Sequence, residues 1–210
     1  MRVPHKTEQE RFWSGEFGDQ YVDRNQGEGL VASNIALFSQ IFAHTGPLQS
    51  IIEFGANVGL NQVALRQLLP RAALSAVEIN AKAAAVLRQI PTLQVYETSI
   101  HDFIMDEPRD LAFTKGMLIH LNPDRLPEVY DLLYKMGRRF VMIAEYYSPS
   151  PVEITYREQE GKLFKRDFAG EILSRFPDLL LKAYGFVYHR DAIFPQDDLT
   201  WFLLEKRIRS

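Results

Sequence analysis

The stretch Ile51-Ile52-Glu53-Phe54-Gly55-Ala56-Asn57-Val58-Gly59-Leu60 is an apolar run that breaks into a glycine-bracketed turn and then opens a helical pattern. Gly55 permits a sharp turn, and Gly59 lets the backbone approach a ligand or lets helix pack closely on strand. A second apolar run, Ala73 to Ile79, carries Glu78 near its end, 78 − 59 = 19 residues after Gly59. With Ile79 beside it, a carboxylate at that spacing can accept hydrogen bonds from both hydroxyls of an adenosine ribose. Taken singly, these features read as a plain strand-to-helix turn and a solvated strand end; together they point to a nucleoside site. A dinucleotide loop has the form G-x-G-x-x-G, which receives a pyrophosphate on the helix start. Here Asn57 takes the middle position and no glycine takes the third. That favours a cofactor without a pyrophosphate over NAD. No phosphate-cradling G-x-x-x-x-G-K-[ST] occurs either.

Outward from this stretch, short β-rich runs alternate with segments of helical period, as in a mostly parallel sheet covered by helices. The expected strands are 50–54, 73–79, 94–98, 111–114, 139–145, 182–188 and 200–205. Leu60, Val63, Ala64 and Leu68 share one helical face, as do Ala83, Val86, Leu87 and Ile90. A third helix is expected from Asn122-Pro123, since Asn caps free amides and Pro tolerates the first helical position. Residues 153–176 read as a charged excursion ending in a helix near 168–176, and long excursions commonly serve a site. Residues 1–45 read as a helical lid on the same core, with Ile35, Phe38 and Phe42 on one face. The 210 residues fit one domain.

Lys and Arg number 24 against 27 Asp and Glu, a formal charge of −3. That balance supplies no basic field to gather nucleic acid or an anionic membrane. The absence of cysteine excludes disulfides, thiolate nucleophiles and thiolate zinc sites. No signal-peptide core and no run of about 18 apolar residues is present, so a cytoplasmic location is expected. His5, His44, His101, His120 and His189 have no ligand-like spacing, so no metal is expected.

Several other residues carry chemistry. His120 follows the fourth strand and precedes a capped helix, where it can serve as a general base; its alternative is a buried or capping histidine. Glu145, Tyr146 and Tyr147 end the fifth strand at the same sheet edge, where they can orient an acceptor or form an ordinary half-buried strand end. Tyr156, Arg157, Lys165 and Arg166 gather phenolic and cationic groups suited to an anionic substrate, or form a solvated charged face. Phe17, Tyr21, Arg24 and Asn25 can fold over a cofactor, with Arg24 pairing a carboxylate, or belong to simple amphipathic packing.

The glycine turn preceded by Glu53, together with Glu78 closing the second strand, resembles the class I S-adenosylmethionine-dependent methyltransferases. That resemblance implies a doubly wound seven-stranded sheet of order 3-2-1-4-5-7-6, last strand antiparallel, with helices on both faces. It also implies that Ser99 and Ile100 flank the adenine and that Lys115 and Gly116 lie along the methionine part. Longer segments, among them 15–25, 113–123, 144–149, 163–170, 184–191 and 201–206, resemble the pseudaminic acid biosynthesis-associated methylases over nearly the whole chain. This implies a small anionic acceptor, a nonulosonic sugar or amino-acid-like metabolite, methylated on oxygen or nitrogen, with Arg157 and Arg166 at its site. Two other functions fit the same fold: a nucleotide-binding regulatory protein without turnover and an NAD-dependent oxidoreductase.

Overall fold

The computed structural model describes residues 6–24 and 27–207. His5 and Asn25 lie outside the described residues. Strand β1 (Ser50–Phe54) is followed by α4 (Leu60–Leu68), β2 (Ala73–Glu78), α5 (Ala81–Leu87), β3 (Leu93–Glu97) and β4 (Arg109–Lys115). Next come α6 (Leu126–Met136), β5 (Gly137–Glu145), β6 (Val152–Tyr156), β7 (Gln159–Lys165), α7 (Phe168–Arg175), β8 (Leu179–Val187) and β9 (Leu199–Lys206). Ahead of β1 lie α1 (Glu8–Ser14), α2 (Glu16–Arg24) and α3 (Glu28–Phe42).

The main sheet has seven strands in the order β3-β2-β1-β4-β5-β9-β8. β1 pairs parallel with β2 and β4, whereas β9 runs antiparallel between β5 and β8. This is the expected seven-strand order once the separate β6-β7 pair is set aside. Side chains alternate across the sheet. Ile51, Leu111, Phe113, Phe140 and Met142 face Leu37, Phe38 and Ile41 of α3 and Ala64 and Leu65 of α4, all buried. On the opposite face, Ile52, Phe54, Ala112, Val141 and Ile143 meet α6 and α7 through Leu126, Val129, Leu133 and Ile172. With both faces covered, the central strands are apolar for most of their length, as buried parallel strands require, with buried polar groups such as Glu53 and Glu78 near the carboxyl ends.

Two elements differ from expectation. The 153–167 excursion is an antiparallel hairpin in which Tyr156 pairs with Gln159 across the two-residue loop Arg157-Glu158. Both loop residues have positive φ, 48° and 66°. The third helix opens through a 3-10 turn, Pro123–Arg125, whose Asp124 amide donates to Asn122 Oδ1 at 3.0 Å before α6 begins. Among the described residues, no helix is long and apolar enough to cross a membrane.

Candidate active site

At the carboxyl end of β1 the chain turns sharply at Gly55, where φ is +78° and a Cβ would lie 2.3 Å from Met117 Cγ. The Gly55 amide donates back to Val77 O at 2.9 Å, which ties the turn to β2. Asn57, at φ +48°, then aims its amide at Glu78 Oε2, 2.8 Å away, and the Asn80 amide donates to Glu78 Oε1 at 2.7 Å. Burial pushes the Glu78 carboxyl above its ordinary range, and the amides of Asn80, Asn57 and Ile79 oppose that shift. The turn and the carboxylate therefore converge, although they lie 21 residues apart.

Glu53 plays a different part. Its carboxylate is fully buried and accepts Asn61 Nδ2 and Gln62 Nε2, each at 2.6 Å, which braces the turn against the first turn of α4. Desolvation raises it to about 7 against those two hydrogen bonds. It does not reach the cavity described next. Gly59 (φ +82°) serves packing, since a Cβ there would lie 2.6 Å from Ile90 Cδ1 and 2.7 Å from Leu87 Cδ2.

A cavity of about 470 Å³ lies across the carboxyl ends of β4, β1, β2 and β3. Along that edge it meets Lys115 and Gly116, then Gly55 and Asn57, then Glu78 and Ile79, then Ser99 and Ile100. Its size falls within the range of small-molecule sites. The walls away from the sheet come from the amino-terminal helices (Gln9, Glu10, Trp13, Tyr21), from Tyr156 of the hairpin, and from His189 and Asp197 of the β8–β9 loop. Asn57 Nδ2, Asn61 Oδ1, Gln9 Oε1 and Trp13 Nε1 are buried, line this cavity through their residues and lack a hydrogen-bond partner. Such orphaned groups call for a polar ligand. Lys115 has its ammonium pushed down by burial, a shift opposed by Glu53, Asp197 and Glu145. Among the described residues, no cluster of His, Asp and Glu is arranged to hold a metal ion.

His120 sits on the 3-10 turn Leu118–His120 after β4 and lines the cavity. Its Nδ1 lies 2.7 Å from Lys162 O of β7. A carbonyl only accepts, so Nδ1 carries the hydrogen and the Nε2 lone pair is left available. Burial pushes the ring down to about 4, so the imidazole is neutral across the physiological range. Glu145 lies beneath this turn. Its Oε1 accepts the amides of Met117 and Leu118 at 3.1 Å each, and Oε2 that of Ile119 at 3.5 Å. It is 2 % exposed and outside the cavity wall, so it positions the turn that carries His120.

Aromatic rings enclose the same region. Trp13 lies 4.6 Å from His120 and 5.3 Å from Tyr21, and His120 lies 5.0 Å from Tyr156, centroid to centroid. Burial first, then the neighbouring Tyr156 and Asp197, pushes the Tyr21 phenol up to about 12. Tyr146 also lines the cavity, and its phenol is raised by burial.

The remaining candidates stand outside the wall. Phe17 stacks on Phe12 at 4.0 Å, and the exposed Arg24 lies over its ring at 5.7 Å. Arg157 occupies the hairpin tip, 5.7 Å from the Tyr156 ring centre. Lys165 lies over Tyr146 at 4.9 Å, Arg166 pairs with Glu171 at 2.8 Å, and Tyr147 is 43 % exposed near Phe202. Sequence reasoning missed Gln9, Glu10, Trp13, Asn80, His189 and Asp197, all of which line the cavity. Only the Thr7-x-x-Glu10 capping signature hinted at any of them, and it points to a helix start.

The sequence matches no protein-family model and no curated protein. Solved structures do resemble the fold. The Burkholderia thailandensis 1,6-didemethyltoxoflavin-N1-methyltransferase, with bound 1,6-didemethyltoxoflavin and S-adenosylhomocysteine, superposes with a TM-score of 0.70 at 13 % identity over 99 % of this chain and 94 % of that one. The plantazolicin methyltransferase BpumL in complex with S-adenosylhomocysteine gives 0.67 at 13 % identity, covering 95 % and 94 %. The magnesium protoporphyrin IX methyltransferase of Synechocystis PCC 6803 with bound S-adenosylhomocysteine gives 0.67 at 13 % identity, covering 94 % and 97 %. What these chains share at such low identity is architecture: the protein has the α/β fold of the S-adenosylmethionine-dependent methyltransferases.

Proposed function

We propose that the chain is an S-adenosylmethionine-dependent methyltransferase acting on a small-molecule acceptor and releasing S-adenosylhomocysteine. The observation that carries this reading is the 2.8 Å hydrogen bond from the Asn57 amide to Glu78, which joins glycine turn and carboxylate in the wall of the cavity. Glu78 accepts the ribose hydroxyls, Ile79, Ser99 and Ile100 flank the adenine, and Lys115 and Gly116 run along the methionine carboxylate. The unpartnered Asn57 Nδ2 and Asn61 Oδ1 fit polar groups of the same ligand. When bound, the cofactor supplies an electrophilic methyl group on a sulfonium. The protein's task is to hold acceptor and methyl at attack distance and to keep water out.

Trp13, Tyr21, Tyr146 and Tyr156 exclude water and offer ring faces to a cation. His120 Nε2 receives the proton that the acceptor oxygen or nitrogen gives up as its new bond to carbon forms. The acceptor's charged end lies at the rim near Lys165, whose ammonium covers Tyr146 at 4.9 Å. The resemblance to the pseudaminic acid biosynthesis-associated methylases supports a nonulosonic sugar or amino-acid-like acceptor, with Tyr147, Arg157 and Arg166 around its outer part. Calorimetric titration with S-adenosylmethionine, S-adenosylhomocysteine and NAD tests the reading. Saturable binding of the first two is expected; binding of NAD alone overturns it. Cofactor binding without turnover across a metabolite panel would favour the regulatory alternative.

A further inference from the structure

We propose that Glu10, a carboxylate carried into the cavity by the first helix, selects the nucleobase of the cofactor by accepting a hydrogen bond from a 6-amino group. The inference rests on the methyltransferase reading above. Glu10 is 5 % exposed and lines the cavity, as do the apolar Ile79, Ile100 and Leu121, and its bond to Ser99 places it beside the end of β3. Among the described residues, its Oε2 is occupied by the amides of Lys6, at 2.5 Å, and Thr7, at 2.9 Å. Among the described residues, its Oε1 accepts the Ser99 hydroxyl alone. The Ser99 oxygen in turn accepts the His101 amide at 3.1 Å, so its hydrogen is committed to Glu10. A carboxylate oxygen has two lone pairs, and Oε1 therefore keeps one acceptor position.

A buried acceptor in a cavity wall that also carries apolar side chains fits a flat base that presents a donor there. Adenine offers an amino group at position 6, whereas a 6-oxopurine presents a second acceptor, which a carboxylate repels. The wall that reads the base is thus built by a helix that precedes β1 by more than thirty positions, not by the strand ends alone.

The test compares calorimetric affinities for S-adenosylhomocysteine and its 6-oxo analogue, S-inosylhomocysteine, in wild type, Glu10→Gln and Thr7→Ala. Gln keeps the capping pattern of the helix, and its amide can turn an N–H toward a carbonyl. Wild type should prefer the adenosyl ligand by roughly 10- to 100-fold. Glu10→Gln should narrow the preference to within about threefold, because the carboxylate that distinguishes amino from oxo is gone. Thr7→Ala weakens the helix start but leaves Glu10 in place, so it should weaken both ligands alike. A wild-type ratio near one, a ratio retained in Glu10→Gln, or a ratio that narrows in Thr7→Ala as far as in Glu10→Gln overturns the proposal while leaving the cofactor reading intact. If neither ligand binds wild type, the cofactor reading itself fails and takes this inference with it.

Discussion

Replacing Glu145 by Gln separates the charge of this residue from its geometry, and the outcome depends on pH in a calculable way. Burial raises the Glu145 carboxyl from 4.5 to about 7 despite the amides of Leu118, Met117 and Ile119. A carboxyl whose folded pKa is raised contributes stability that is fully present below pH 4.5 and lost as pH rises through 7. That rise corresponds to roughly 3 kcal/mol of destabilisation of the native state by pH 8. Gln has no charge to desolvate, and its carbonyl can keep the two 3.1 Å bonds to Met117 and Leu118, losing only the 3.5 Å contact to Ile119. At pH 5 the variant should lie within about 1 kcal/mol of wild type; at pH 8 it should gain roughly 2–3 kcal/mol relative to that difference. Urea unfolding of both proteins at the two pH values reads this directly, because Glu53 and the other buried groups cancel between variant and parent. Glu145→Ala strands the three amides and should cost about 3 kcal/mol or more at either pH. An identical Gln-versus-wild-type difference at pH 5 and pH 8 would refute the reasoning.

Further outcomes follow from other contacts. Glu78→Ala should weaken S-adenosylhomocysteine by about 1–3 kcal/mol, and an unchanged calorimetric affinity would count against its ribose role. The His120 ring resonances should titrate near pH 4. Because that folded pKa is depressed, the stability linked to His120 is complete above pH 6.5 and is lost as pH falls toward 4, which His120→Asn should abolish in acid unfolding curves. Gly59→Ala forces a Cβ into Ile90 and Leu87 at positive φ and should cost roughly 2–4 kcal/mol in thermal unfolding.

The central sheet was legible because its strands are apolar on both faces. Leu111 to Phe113 and Phe140 to Ala144 admit no other burial, and the glycine turn marks where the first strand must end. The hairpin was not legible, for two physical reasons. Its turn residues Arg157 and Glu158 adopt the left-handed conformations that Asn-Gly normally announces, and Val152 and Ile154 face solvent while the buried Lys162 and Leu163 are adjacent, so no alternation marks the strands. The meeting of the glycine turn and Glu78 in the cavity wall could be read from the sequence, because their spacing is set by one βαβ unit. Glu53 looked like a ligand because carboxylates at strand ends often are, yet Asn61 and Gln62, eight and nine residues on, reach back to its two oxygens, and it lies outside the cavity wall. Trp13 and Glu10 looked like ordinary faces of a short helix. Only packing across the sheet edge brings them to the cavity, and no local pattern encodes that.

The charge on the His120 ring follows from the same assembly. The state of His120 depends on one backbone carbonyl, that of Lys162, and on the depth at which the ring is buried. The hairpin bearing that carbonyl is fastened to the amino-terminal helix twice, by Gln9 Nε2 to Gly161 O at 2.9 Å and by Lys162 Nζ to Glu8 at 2.5 Å. The helix is fastened in turn to the sheet edge through Asn80 Nδ2, which donates to Trp13 O at 3.1 Å and to Asp19 Oδ1 at 2.9 Å. A neutral imidazole with Nδ1 protonated and Nε2 free is thus a property of three segments that meet over the cavity, not of the fourth strand that carries the histidine. Loosening α1 or the hairpin would let water reach the ring, remove the desolvation that holds it near 4, and return its titration toward 6.5. The neutral ring and the enclosure therefore form together, and in an opened cavity the histidine would titrate closer to neutral pH than in the enclosed one.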